Sequence, residues 1–159
     1  MPESWRTRLT RWGFNLHPTY WSTGARIAYI AGDWHEVHIK LPLSWRTRNY
    51  VGTTFGGSMY SAVDPIYMIM LIKRLGPEYV VWDKGATVRF LQPGRSTLFA
   101  RFVVGVEFVE AIRAELASAP KLERTLKIDL TDADGAVHAT VEKLLHISRR
   151  GAAIKRSWR

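Results

Sequence analysis

One carboxylate stands alone in the most apolar part of the chain. Between Arg48 and Lys73, Asp64 is the only charged residue. An unpaired carboxylate in apolar surroundings is energetically costly, which makes Asp64 the residue of this chain that stands out as a candidate for chemistry. Asp64 is followed by Pro65, and this pair is also favoured at a helix start. We therefore expect a catalytic carboxylate, a helix N-cap, or both, because a proline kink can aim a side chain.

The segment upstream of this carboxylate is rich in glycine. Residues 49–58 read NYVGTTFGGS, and an apolar stretch over 56–75 predicts a buried helix that ends at Gly76-Pro77. Free N–H groups at the start of such a helix are ready donors to a carbonyl oxygen or oxyanion. The glycines equally suit a tight turn, and Asn49 is a common turn residue.

The spacing between these two features constrains any site that uses both. If residues 57–64 are helical, Asp64 lies about 10 Å beyond Gly57. Groups that act on one carbonyl must lie within about 3–4 Å of it. A shared site would therefore need the Asp64 of a second copy with an antiparallel central helix, so the spacing predicts at least a dimer.

The elements that must position these residues predict an α+β fold. The 159 residues suit one domain. Hydrophobic periodicity and turn residues predict, in chain order, a hairpin over 26–41, the central helix over 56–75, strands over 80–91 and 97–106 joined by a turn at 92–95, a helix over 107–117, and a hairpin over 125–147 that turns at Asp134-Gly135. Short connections favour an antiparallel sheet wrapped around the central helix.

Positive charge is concentrated at the two ends of the chain. Lys and Arg number 23 against 14 Asp and Glu, a formal net charge of +9. Residues 1–48 carry 7 basic and 3 acidic groups, and residues 149–159 carry 5 basic groups and no acidic ones, so the stretch between them is neutral. We expect a basic N-terminal helical extension (1–24), a central domain (25–148) and a basic C-terminal tail (149–159). The basic ends suit solvated termini or a contact with phosphate, from a coenzyme or RNA.

A short helix over residues 3–12 would carry Trp5, Leu9 and Trp12 on one face. We expect this face to pack on the domain, and a membrane surface is the alternative.

The composition excludes several classes of function. The chain has no cysteine, which excludes disulfides, thiolate nucleophiles and Cys-ligated metals. No run of 18 uncharged apolar residues predicts a membrane span, and the N-terminus lacks a secretory signal pattern, so a cytoplasmic location is expected. The pairs His35/His38 and His138/His146 are spaced wrongly along their strands for a shared metal, and we expect no metal site.

The glycine-rich loop and the lone carboxylate together resemble a known signature. The pattern Asn49-x-x-Gly52-x-x-Phe55-Gly56-Gly57, with an acid at Asp64, is similar to that of hotdog-fold acyl-CoA thioesterases, which have His where this chain has Phe55. The longer strings NYVGTTFGGSMYSAVDPIYMIMLI and YVVWDKGATVRFLQPGR resemble an uncharacterised hotdog branch, known as a domain of unknown function. The similarity covers roughly residues 25–148 and implies a hotdog fold.

The resemblance also implies roles for individual residues. Asp64 would be the general base or nucleophile, and Asn49 would orient the loop or the attacking water. The Gly57 N–H would polarise the thioester carbonyl, within a substrate-binding segment made of Phe55, Gly56, Gly57 and Ser58. Phenylalanine cannot donate or shuttle a proton, so Phe55 leaves room for a protein that binds acyl chains without hydrolysing them. Met59, Met68 and Met70 would line the acyl pocket or the core.

The expected partners follow from the same resemblance. We expect an acyl-thioester substrate, a homodimer or a dimer of dimers, and no cofactor other than coenzyme A as part of the substrate. Nucleic acid is the weaker alternative for the basic ends.

Overall fold

The computed structural model describes residues 1–151. Its helices are α1 (Trp5–Leu16), α2 (Pro18–Ser22), α3 (Gly56–Val63), α4 (Ile66–Leu75) and α5 (Val106–Ser118). Its strands are β1 (Arg26–Ile30), β2 (Glu36–Leu41), β3 (Tyr79–Phe90), β4 (Leu98–Val103), β5 (Lys121–Thr131) and β6 (Val137–Arg149). Residues 152–159, which make up most of the predicted basic tail, lie outside the described residues.

The six strands form one antiparallel sheet in the order β1-β2-β4-β5-β6-β3. The helices α3 and α4 pack on this sheet and contact β2, β6 and β3. This arrangement confirms the predicted α+β fold with an antiparallel sheet around a central helix. Both predicted hairpins are present as β1–β2 and β5–β6, and Gly135 takes the left-handed backbone (φ 86°) that the second turn requires.

The sequence pattern is misleading about the partner of β3. A short turn joins β3 to β4, yet β3 pairs along its whole length with β6 and forms an edge of the sheet. The turn between β3 and β4 is anchored to the glycine-rich loop, because the Gly94 carbonyl accepts a 2.8 Å hydrogen bond from the Thr54 N–H. The chain therefore leaves β3 at one edge of the sheet and re-enters it as β4, between β2 and β5.

The predicted central helix over 56–75 is divided in two at Asp64-Pro65. Pro65 has no N–H and its ring obstructs the preceding turn, so α3 ends at Val63 and α4 begins at Ile66. Asp64 occupies the C-cap position of α3, and no side chain caps the start of α4. The structure therefore gives Asp64 no N-cap role.

The core lies between the central helices and the sheet. Met59, Met70 and Phe102 are 3%, 0% and 0% exposed, and Met68 packs against the same cluster. The three methionines thus belong to the hydrophobic core and are absent from the cavity described below.

Polar contacts fix the N-terminal helices to the domain. The Asn15 side chain donates to the Ile27 carbonyl (2.9 Å) and accepts from the Ile27 N–H (2.8 Å), which ties α1 to β1. The Tyr20 hydroxyl of α2 donates to the Ala62 carbonyl of α3 (3.0 Å). Within residues 1–151, no helix is long and apolar enough to cross a membrane.

The expectation that the apolar face of α1 packs on the domain is wrong. Trp5, Leu9 and Trp12 are 68%, 62% and 55% exposed. The side of α1 that faces the domain instead presents Thr7, which is buried, and Phe14, which packs against the core.

The two hydrogen bonds of Asn15 generate a prediction about α1. We expect Asn15→Ala to lower the free energy of unfolding by ~1–3 kcal/mol, because it leaves the Ile27 N–H and carbonyl without their partner. Urea denaturation measures this loss, and amide exchange should show faster opening in α1. Leu16→Ala, at an exposed position of the same helix, is the control and should change stability by under ~0.5 kcal/mol. Equal effects of the two substitutions would contradict the anchoring role of Asn15.

Candidate functional site

A cavity of about 1010 Å³ separates the N-terminal helices from the central helix. The residues that line it come from α1, α2 and α3, from the positions that flank these helices, and from Arg46. They are Thr10, Gly13, Phe14, His17, Thr19, Tyr20, Ser22, Thr23, Arg46, Phe55, Gly57, Ser58, Tyr60, Ser61, Asp64 and Pro65. Its volume is typical of sites that hold a small organic ligand.

Asp64 lies at the wall of this cavity, and it is not the unpaired carboxylate that the sequence suggests. Its Oδ1 accepts a hydrogen bond from the Lys143 ammonium, while its side chain remains 41% exposed. The carboxylate is therefore held by a cation on one side and open on the other, as a group that meets a substrate or water must be.

Lys143 comes from the middle of β6 and is itself 1% exposed. Its ammonium also lies 3.2 Å from Asp83 Oδ2 of β3 and 3.5 Å from the Tyr60 hydroxyl of α3. The sequence carries a signal for this residue, because Ala139, Val141, Leu145 and Ile147 alternate along the buried face of the strand. A lysine in that row must find carboxylate partners inside the protein.

The titration of this cluster reflects burial and charge together. Burial alone would lower the pKa of Lys143, but the hydrogen bond from Lys143 to Asp64 and the charges of Asp64 and Asp83 outweigh it and raise that pKa. Burial raises the pKa of Asp83 against the opposing effect of Lys143. One oxygen of Asp83, Oδ1, is buried without a hydrogen-bond partner among residues 1–151. Burial and the neighbouring Asp64 also raise the pKa of the Tyr60 hydroxyl.

The other end of α3 opens into the same cavity. Phe55 occupies the N-cap position and offers no side-chain acceptor, so the first N–H groups of the helix lack a side-chain cap. Gly57 and Ser58 line the cavity there. The Phe55 ring lies over Gly57, since a Cβ at position 57 would come within 2.3 Å of its Cε1. Gly56 packs closely against the ring of Phe90 at the end of β3, where a Cβ would be 2.8 Å from Cζ.

Asn49 supports the loop rather than the cavity wall. Its Oδ1 accepts from the N–H groups of Val51 (3.2 Å) and Thr53 (3.0 Å), and its Nδ2 donates to the Thr53 hydroxyl (2.9 Å). Gly52 completes this turn with a φ of 84°. These bonds use the amide within the loop, as either a turn residue or a residue that orients the loop would do.

The structure thus brings some of the predicted residues to one cavity and leaves others outside it. Phe55, Gly57, Ser58 and Asp64 line it, whereas Gly56 and Asn49 support the loop behind it. Gly57 and Asp64 stand at opposite ends of α3, about 10 Å apart along the helix axis. Among residues 1–151, no group of three or more His, Asp or Glu could hold a metal ion.

Comparison with known families defines the class of protein. Residues 6–147 match a family described as a domain of unknown function, DUF4442. This match spans most of the chain, and the chain belongs to that family. Among curated proteins, no relative matches the chain.

Solved structures with the same architecture identify the fold as the hotdog fold. A protein of unknown function from Pseudomonas aeruginosa, PA5026, called a probable thioesterase, superposes with a TM-score of 0.83 at 19% identity, over 94% of this chain and 99% of that one. The thioesterase HI1161 from Haemophilus influenzae gives a TM-score of 0.64 at 15% identity, over 92% and 91%. A protein of unknown function from Chlorobaculum tepidum gives 0.71 at 14%, over 91% and 95%.

Substitution of Lys143 should destabilise the protein, because its ammonium balances the repulsion between Asp64 and Asp83. We expect Lys143→Met to lower the free energy of unfolding at pH 8 by ~2–4 kcal/mol, because it leaves two carboxylates without their cation. The pKa of Asp83 is already raised in the folded protein, so the penalty applies above that pKa and fades as protonation neutralises the carboxyl. The deficit should therefore shrink between pH 8 and pH 5.

Urea denaturation at the two pH values measures this effect. Lys127→Met is the matched control, because Lys127 is an exposed lysine that lies 3.5 Å from Asp129. Its substitution should change stability by under ~1 kcal/mol at either pH. A Lys143→Met deficit that does not vary with pH would show that Asp83 is not part of the balance.

Proposed function

We propose that this protein hydrolyses acyl-CoA-like thioesters at a site formed between two protomers. One observation carries the proposal: the Asp64 carboxylate lies at the wall of the cavity that also receives the uncapped N-terminus of α3. A base and an oxyanion donor are the two groups that thioester hydrolysis needs. The hotdog fold supports the same chemistry, because a solved relative of that fold is a thioesterase.

The chemistry assigns one role to each end of α3. The Asp64 carboxylate of one protomer removes a proton from a water molecule, whose oxygen attacks the carbonyl carbon of a thioester held at Gly57 of the other protomer. The Gly57 N–H donates to the carbonyl oxygen as it becomes negative, and such a donor is worth about 3 kcal/mol in the transition state. Collapse of the intermediate breaks the carbon–sulfur bond, and the proton held by Asp64 passes to the departing thiolate. The products are a carboxylic acid and a thiol.

Phe55 does not prevent this reaction, although it cannot act as a proton donor. A free thiol has a pKa of about 8.5, so a thiolate leaves readily without protonation by a histidine. The Phe55 ring is 56% exposed and lies over Gly57. In this proposal it covers the carbonyl site with an apolar surface, which strengthens the Gly57 hydrogen bond by excluding water.

The free edge of the sheet supports an assembly of two protomers. β3 is an edge strand whose second half is largely exposed, and Phe90 at its end is 57% exposed. An unpaired edge strand is a template for pairing with a second copy. Because Phe90 packs against Gly56, such pairing would bring the partner close to the start of α3. The partner's Asp64 could then approach a carbonyl bound at Gly57.

Arg46 gives the cavity a cation that suits a phosphate-bearing carrier. It lines the cavity, and its guanidinium stacks 4.1 Å from the centre of the Trp21 ring. A guanidinium presents several donors that match phosphate oxygens. The carrier in this proposal is coenzyme A, bound as part of the substrate.

The role of the carboxylate generates the first activity prediction. We expect Asp64→Asn to lower kcat/KM on acyl-CoA substrates by at least ~100-fold, because the amide cannot accept the proton from water. Spectroscopic detection of released thiol measures the rate, and circular dichroism reports the fold. Asp134→Asn is the matched control, since Asp134 lies in the exposed turn between β5 and β6. Equal turnover by folded Asp64→Asn would remove Asp64 from the mechanism.

Mixing two inactive variants tests whether the site is shared. Gly57→Pro removes the proposed donor N–H in the first helical turn, where the missing N–H breaks no hydrogen bond within the helix. The Phe55 ring, which is 56% exposed, has to turn aside to admit the proline, so circular dichroism is used to check that the variant folds. If Gly57 and Asp64 of different protomers form one site, a mixed dimer of Gly57→Pro and Asp64→Asn chains has one intact site. Random re-assembly should then recover about a quarter of wild-type activity.

Activity that stays at the level of the single variants would contradict a shared site. It would mean that the Gly57 N–H and the Asp64 carboxylate act within one chain, because every site in the mixture then carries a defect. Unmixed variants that are refolded in parallel are the control.

A second function, the binding of acyl chains without hydrolysis, is favoured by Phe55, because phenylalanine cannot donate or shuttle a proton. It is supported by the aromatic lining of the cavity, which includes Phe14, Tyr20 and Phe55. Native mass spectrometry of the purified protein together with a panel of thioesters separates the two functions. Co-purified acyl ligand without turnover on any thioester would favour binding over hydrolysis.

A further inference from the structure

An apolar strip runs along the outer side of α1. Its members are Trp5, Leu9, Trp12 and Leu16, which recur at helical spacing and are 68%, 62%, 55% and 71% exposed. At 100° per residue their side chains fall within about 60° of one another around the helix. Large apolar side chains that share one exposed face usually mark an interaction site.

The flanks of this strip are positively charged. Arg6 and Arg8 lie on its two sides, and the Arg6 guanidinium sits 5.4 Å from the centre of the Trp5 ring. The helix contains no acidic residue. The nearest acid, Glu3, lies before the helix and pairs with Arg11 at 2.8 Å and with Arg8 at 3.6 Å. The Arg8 side chain still remains 63% exposed, and the hydrogen bond from Arg11 lowers the pKa of Glu3.

The strip is held facing outward. The opposite side of α1 is fixed by the buried Thr7, by the core contact of Phe14 and by the two hydrogen bonds between Asn15 and Ile27. Turning the strip inward would break these contacts. A rigid helix that presents tryptophan and leucine between arginines has the composition of a helix that lies in a lipid interface.

We propose that α1 docks its apolar strip on the surface of an anionic lipid bilayer. Trp5 and Trp12 would enter the headgroup region with Leu9 and Leu16, while Arg6 and Arg8 contact lipid phosphates. Basic residues near such a surface are attracted to its anionic lipids, and the chain's formal net charge of +9 acts in the same direction.

A second copy of the chain fits the strip less well than a bilayer does. A tryptophan buries at most about 250 Å², so at these exposures the four side chains offer less than the ~800 Å² per partner of a standard interface. A symmetric pair of strips would also bring the flanking arginines of both copies together, while the one nearby acid, Glu3, is already paired within its own chain with Arg11 and Arg8.

The position of the strip relates it to the cavity. Gly13, which lines the cavity, lies about 40° from Leu9 around the helix, and Thr10, which also lines it, lies about 100° from Leu9 in the same direction. Docking would therefore place one wall of the cavity near the lipid surface. The docking rests on α1 alone and stands independently of the proposed hydrolysis.

Vesicle sedimentation tests the proposal with the full chain. Wild-type protein should sediment with vesicles of 70% phosphatidylcholine and 30% phosphatidylglycerol, and Trp5→Ser/Trp12→Ser should lower the partition coefficient at least tenfold. Arg6→Gln/Arg8→Gln should lower it severalfold on these vesicles. Phe99→Ser/Val103→Ser removes two exposed apolar side chains from β4, and this control should bind within twofold of wild type.

The comparison between variants isolates α1, because the basic C-terminal tail is present in all of them. Binding that Trp5→Ser/Trp12→Ser leaves unchanged, or no binding by the wild type, would overturn the proposal. Size-exclusion chromatography adds one further test. An oligomer that this double variant dissociates would assign the strip to a second copy and would also overturn it. Thioester turnover on a water-soluble substrate should be unchanged in the double variant, so failure of docking is distinguishable from failure of the proposed activity.

Discussion

Lys143 carries a positive charge into the interior of the sheet, where a charge is stable only when opposite charges and hydrogen-bond acceptors surround it. Asp83 from the neighbouring strand and Asp64 from the end of α3 provide those partners. The interaction therefore joins β3, β6 and the central helix at one point. It also fixes the direction in which the Asp64 carboxylate faces, because one oxygen is held by the ammonium while the side chain stays open to the cavity.

The break in the central helix makes this arrangement possible. Pro65 prevents the helix from continuing through Asp64, so the carboxylate sits at the end of α3 beside β6 instead of on a regular helix face. The start of the same short helix is left without a side-chain cap by Phe55. Residues from both ends of α3 thus line the cavity beneath the N-terminal helices, and the proposed function uses one group from each end.

Local sequence patterns predict the elements well and the long-range pairings poorly. The hairpins follow from alternating side chains and from turn residues such as Asp134-Gly135, which act between near neighbours. The pairing of β3 with β6, by contrast, depends on where the Gly94 turn is tied, and that contact lies 40 residues away along the chain at Thr54. Short-range patterns contain no information about such a bond.

The candidate site is likewise predictable from the sequence only in its local features. Asp64 and Gly57 stand out in the sequence by charge and by composition, but the partner of Asp64 is 79 residues away. Lys143 interrupts an apolar row on β6, and that interruption is the signal by which it could have been found. The exposed strip on α1 could not be inferred from periodicity, because an amphipathic helix has the same pattern whether its apolar face meets a core or a solvent-exposed surface.

A crystal structure with a non-hydrolysable thioester analogue tests the central claim most directly. In this analogue a methylene group replaces the thioester sulfur, so that the carbonyl becomes a ketone. The account predicts the ketone oxygen about 3 Å from the Gly57 nitrogen, with the Asp64 carboxylate of the partner subunit facing the ketone carbon across one water molecule. An analogue bound with its carbonyl remote from Gly57, or with every Asp64 turned away from it, would contradict the account.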